Sequence, residues 1–120
     1  MANFSKKEGN TIRYLVTASE GPGFSSPEEA VHVLEKIVLP SFEALIELEK
    51  TKKILGGGLP LGDRSFVFIM EASSNEEVDR LLRSLPMWGA LKWKVTAIQT
   101  FEGRASQERD FVKQMKKAGR

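Results

Sequence analysis

The segment SFVFIMEASSNEEVDRLLRSLPMWGALKWKVTAIQTF, residues 65–101, decides the fold. It opens with an apolar run, Phe66 to Met70, of the length a strand needs. Ser74, Asn75, Glu76 and Glu77 cap a helical segment whose apolar positions are Val78, Leu81, Leu82 and Leu85. Leu85-Pro86 breaks that helix, and a last strand runs from Leu91 to Thr100. Strand, helix and strand follow one another with almost no spare residues, which is half of a split β-α-β arrangement.

The front half supplies the other. From Thr11 to Ser19, Ile12, Tyr14, Val16 and Ala18 alternate with Arg13, Leu15 and Thr17, the period of a strand. Glu20-Gly21-Pro22-Gly23 is a loop. Ser26 then caps a helix, Pro27 takes its first position, and Glu29 completes the capping box. Ala30, Leu34, Ile37, Phe42, Leu45, Ile46 and Leu48 form the apolar stripe, opposite His32, Glu35, Lys36, Glu43, Glu47 and Lys50. Pro40 inside the pattern predicts a kink or split near Val38 or Leu39. The helical pattern gives out at Gly56-Gly57-Gly58, a short second strand is expected around Leu55 to Leu61, and Gly62-Asp63 is expected to form a tight hairpin turn. Beyond Gly103 a final helix is expected from about Ser106, with Phe111, Val112 and Met115 as its apolar contacts.

The element order β-α-β-β-α-β with an extra C-terminal helix predicts an α+β, ferredoxin-like sandwich. The expected organisation is a disordered N-terminal segment at 1–10, the ferredoxin-like domain at 11–103 and a basic C-terminal helix at 104–120. Helices cover one face of such a sheet. Its other face must meet water, a ligand or another subunit, and function turns on it.

Bulk composition narrows the classes. A chain of 120 residues, 41% hydrophobic and 28% charged, is an ordinary globular domain. It has no window of about 18 uninterrupted apolar residues, as a membrane span needs. No signal-peptide pattern opens it, so a cytoplasmic location is expected, with no membrane partner. With no cysteine and one histidine, thiolate chemistry and disulfides are excluded and a transition-metal site is not expected. The net charge of +2 is uneven: from Arg104 onward six cations face two anions, which leaves −2 on the remainder. The basic character belongs to the tail, and the fold itself is not an expected nucleic-acid partner.

Arg83-Ser84-Leu85-Pro86-Met87-Trp88, followed by the strand Leu91 to Thr100 carrying Val95, resembles the end of muconolactone isomerase and its relatives. The resemblance covers the second half of the chain and extends to the first through element order. It implies sheet-to-sheet assembly into a dimeric α/β barrel, so a homodimer or higher oligomer is the expected partner state. It also implies a pocket for a small carboxylated or aromatic-derived metabolite and, if the protein is an enzyme, cofactor-free proton transfer as in the isomerases or oxidation of an activated substrate as in related barrel-forming oxygenases. No catalytic residue transfers with it, because Leu85-Pro86 is a structural turn.

A cation inside an apolar central strand needs a partner or a polar cavity, which singles out Arg13. With Tyr14, Thr17, Lys94 and Thr96 it forms the candidate ligand-binding set, a positive cleft suited to a carboxylate. Lys92 and Lys94 equally suit an edge strand protected by charge. Tyr14, Glu20, Glu71 and Glu102 are the proton-transfer candidates, and His32 shares the polar helix face. Two alternatives stand beside the metabolite reading. One is a non-enzymatic dimeric binding or assembly module. In the other, Arg64-Ser65-Phe66-Val67-Phe68-Ile69 is similar to the third-strand signature of RNA-recognition motifs, in which two aromatics stack on bases. Ser65, Glu71 and Thr17-Ala18 depart from that signature, and Phe66 and Phe68 are expected in the core.

Overall fold

The computed structural model describes residues 11–119; the expected disordered segment at 1–10 lies outside them. Four strands, β1 (Ile12–Ser19), β2 (Ile54–Gly58), β3 (Phe66–Ala72) and β4 (Lys92–Ile98), form one antiparallel sheet in the order β2-β3-β1-β4. The helices are α1 (Pro27–Val33), α2 (Leu39–Lys50), α3 (Asn75–Arg83) and α4 (Phe101–Ala118). The molecule is thus α+β, compatible with a ferredoxin-like fold.

Side-chain alternation along β1 divides the sheet. Its core face carries Tyr14, Val16 and Ala18 beside Phe66, Phe68, Met70 and Ala72 of β3, all buried. Val38, Val78, Leu82 and Leu85 close this core from the helix side. The open face carries Arg13, Leu15 and Thr17, opposite Glu71, Ile69 and Val67 on one side and Ile98, Thr96 and Lys94 on the other. Phe66 and Phe68 are 4% and 5% exposed under the helices, so neither ring offers a stacking surface.

Pro40 acts as expected, though through a wider turn rather than a simple kink. A π-helical turn, Leu34–Val38, joins α1 to α2, and Leu39 N–H donates back to the Leu34 carbonyl. Proline brings no N–H to the ladder, and the wider turn lets the helix continue past it. Ser41, fully buried, fastens this helix to the connection between α3 and β4: its Oγ donates to the Ile37 carbonyl (2.8 Å) and accepts from the Met87 N–H (2.9 Å).

Three expectations shift. The helix ends at Lys50, with Lys52 in the left-handed region, and the three glycines lie inside β2 rather than at the helix end. No tight hairpin forms at Gly62-Asp63; residues 59–65 make a longer loop between β2 and β3, with Gly62 at φ +76°. The last helix starts at Phe101, not Ser106, because Thr100 Oγ1 accepts from the Gly103 N–H and caps it there.

The start of α3 is held electrostatically. Ser74 caps the Glu77 N–H, while Glu77 accepts from the Ser73 N–H (2.6 Å) and from Lys53 Nζ (2.8 Å). The Lys53 hydrogen bond, then the Ser73 backbone bond, lowers the Glu77 carboxyl from 4.5 to about 2. A carboxyl depressed on folding contributes stability that is complete above pH 4.5 and lost as pH falls toward about 2. Glu77→Gln should therefore lower stability at neutral pH and flatten the acid limb of a urea-unfolding series across that window. An unchanged acid limb would contradict the assignment.

Candidate functional site

The sequence-predicted residues do not converge on one cavity. Arg13, Thr17, Lys94 and Thr96 do share the open sheet face. Arg13 is not an unpaired cation there: its Nε lies 3.1 Å from Glu71 Oε2 on the neighbouring strand. Tyr14 lies on the opposite face, 3% exposed, and its hydroxyl donates to Asn75 Oδ1 at 2.6 Å. It borders a groove between α3 and β4 rather than the open face. Glu71 is engaged with Arg13, and Glu20, His32 and Glu102 are exposed.

An apolar cleft forms elsewhere, between α1–α2 and the β2–β3 side of the sheet. It has two chambers, of about 220 and about 200 Å³, which share Phe42, Leu59 and Phe66 as walls. Phe42 meets Phe66 edge-to-face with centroids 5.7 Å apart, so the dividing wall is a packed aromatic pair. Leu45, Ile46, Ile54 and Phe68 line the inner chamber; Phe24, Leu34, Val38, Met87 and Leu91 line the outer one. The π-helical turn contributes Leu34 and Val38 directly. The widened helix therefore shapes the cavity.

Gly57 sets the floor of the inner chamber. It sits at φ +146°, and a Cβ there would lie 2.3 Å from the Val67 carbonyl oxygen and 2.5 Å from Phe68 Cα. Only glycine lets β2 approach β3 this closely.

The outer chamber carries the polar groups. Gly21 N–H donates to the Arg64 carbonyl (2.9 Å), and Arg64 Nε donates back to the Gly21 carbonyl (3.2 Å). A Cβ on Gly21 would meet that Arg64 carbonyl at 2.8 Å, so this loop pairing also requires glycine. The guanidinium end of Arg64 extends over Gly23, and among the described residues it makes no ion pair. Asp63 is engaged: one carboxylate oxygen accepts from the Arg64 N–H and the other from Ser65 Oγ. The remaining carboxylate on the cleft lining is Glu49, exposed at the inner chamber. Chemically the site offers apolar walls and one cation with free donors.

Among the described residues no group of three or more histidines, cysteines or carboxylates is placed to hold a metal ion. No helix there is long and apolar enough to cross a membrane. No family model matches this chain, and no curated protein matches it either.

Glycine geometry gives a paired test. Gly57→Ala should destabilise by about 1–3 kcal/mol through backbone strain and contact with β3. Gly58→Ala, whose Cβ would meet nothing within 4 Å, should be nearly neutral. Urea denaturation of both variants checks this; equal effects would refute the close-approach account.

Proposed function

We propose that this protein binds a small carboxylated ligand with an apolar or aromatic body, and that it does so as a homodimer paired through the open sheet face. The observation that carries the binding reading is Arg64, whose terminal guanidinium donors have no carboxylate partner among the described residues at the mouth of an aromatic-walled cleft. A guanidinium matches a carboxylate with two parallel hydrogen bonds, while Phe24, Phe42 and Phe66 suit a flat apolar body. This agrees with the ligand class implied by the resemblance to the muconolactone isomerase-like family, and it moves the anchor from Arg13 to Arg64.

The dimer reading rests on the composition of the open face. Leu15 and Ile69 stand there half-buried at the centre, with Ile98 in the row of the Arg13–Glu71 pair and Val67 in the row of Lys94. A second sheet laid across them removes that apolar centre from water and leaves the charges at the rim.

Isothermal titration with small aromatic and alicyclic carboxylates, each set against its neutral amide, tests the binding reading. The carboxylates should bind the wild type, and Arg64→Met should weaken them about tenfold to hundredfold, the worth of a charge-assisted hydrogen bond. The amides should bind both proteins alike. Equal carboxylate affinity for wild type and variant would overturn the assignment.

A further inference from the structure

The C-terminal helix stands away from its own body. Every residue of α4 except Gly103 is exposed, including Phe111, Val112 and Met115, and the molecule extends 73 Å along its longest axis. Two hydrogen bonds tie its base to the end of β4. Thr100 caps it, and Gln99 Nε2 donates to Gln107 Oε1, joining the end of β4 to the second turn of the helix. An 18-residue helix built this way carries its apolar patch roughly 15 Å or more beyond the sheet.

That patch has a defined side. Phe111, Val112 and Met115 lie on neighbouring turns, and Arg109, Lys113 and Lys116 form a row beside Val112 at helical spacing. Among the described residues none of these three cations makes an ion pair.

A surface of opposite character exists on α1–α2. Val31, Leu39 and Ile46 are each about half exposed on this layer, Ile46 at the rim of the cleft. Glu28, Glu35, Glu43 and Glu47 stand within three or four residues of them, exposed and without ion pairs among the described residues. From Pro27 to Lys50 six glutamates face two lysines, so the layer is strongly acidic. One surface is apolar with an acidic row; the other is apolar with a basic row.

The two surfaces of a single copy are separated. α1–α2 covers β2 and β3, α3 stands over β1, and α4 leaves from the end of β4 at the far edge. Exposed at every position but Gly103, α4 does not pack on its own α1–α2 layer.

The geometry points to a second copy of this chain as the occupant: α4 of one protomer packs its Phe111–Met115 patch along Val31, Leu39 and Ile46 of the other, with Arg109, Lys113 and Lys116 against Glu35, Glu43 and Glu47. Each copy owns one donor helix and one acceptor layer, so two copies related by a two-fold axis exchange helices reciprocally. Neither surface lies on the open sheet face, so the contact is independent of sheet-to-sheet pairing. Charge complementarity sets partner and register, and the apolar stripe excludes water.

Because the chain has no cysteine, two engineered thiols report on this contact directly. Leu39→Cys and Met115→Cys, both at exposed positions, are purified separately, one carrying a size tag, then mixed and oxidised. The mixed disulfide should exceed either homodisulfide several-fold. Adding Arg109→Glu, Lys113→Glu and Lys116→Glu to the Met115→Cys chain should suppress it. Adding Glu35→Lys, Glu43→Lys and Glu47→Lys to the Leu39→Cys chain should then restore it. A mixed disulfide no more abundant than the homodisulfides would overturn the proposal. So would insensitivity to charge reversal, or closure of the double-cysteine chain on itself at high dilution.

Discussion

The register of β1 between β3 and β4 is the constraint on which everything else depends. Because it is paired on both sides, its alternation is imposed on three strands at once: Val16 lies between Phe68 and Val95, and Leu15 between Ile69 and Thr96. A slip of one residue would bring Arg13, Leu15 and Thr17 under the helices and expose Tyr14, Val16 and Ala18. The stronger forces oppose that slip. Tyr14 has a hydrogen-bond partner only on the helix side, and Arg13 has its ion-pair partner only on the open side. Burial of Val16 and Met70 and the desolvation cost of Arg13 therefore select the same register.

From that register follows the division of labour between the two faces. The helix layer covers β2, β3 and β1 unevenly, and the cavity lies where α2 is held off the sheet. Its lining includes Leu34 and Val38 of the π-helical turn, the edge-to-face pair of Phe42 and Phe66, and Gly57 where β2 passes close to β3. Ser41 fixes the spacing at the other side by binding the Met87 amide. The cleft is thus built from packing constraints rather than from an assembled set of charged groups, which favours binding over acid–base chemistry.

Local signals carried most of the architecture. Ser26, Ser74 and their partners Glu29 and Glu77 announced two helix starts, and both caps form as their spacing requires. Alternation placed every β1 side chain on its observed face. Glycine was where local reasoning misled: Gly57 was expected to mark a helix end and instead permits a strand–strand approach visible only in three dimensions. Gly103 likewise suggested a boundary, yet it sits in the first turn of α4, its amide capped by Thr100. The site was less legible for a related reason. In the sequence Arg64 stands out only as the prefix of an aromatic strand, because its partner Gly21 lies in a loop far away along the chain. A cation two residues before β3, and a glycine-rich loop closing β1, are the sequence signals that join them.

The central claim is that ligand chemistry belongs to the cleft under α2 and not to the open sheet face. Backbone amide NMR of the isotope-labelled protein, titrated with a small aromatic carboxylate, tests it most directly. The account predicts shifts concentrated at Gly21, Gly23, Gly57, Arg64 and Ser65, with Thr17, Lys94 and Thr96 unmoved. Shifts concentrated instead at Arg13, Thr17, Lys94 and Thr96 would contradict it.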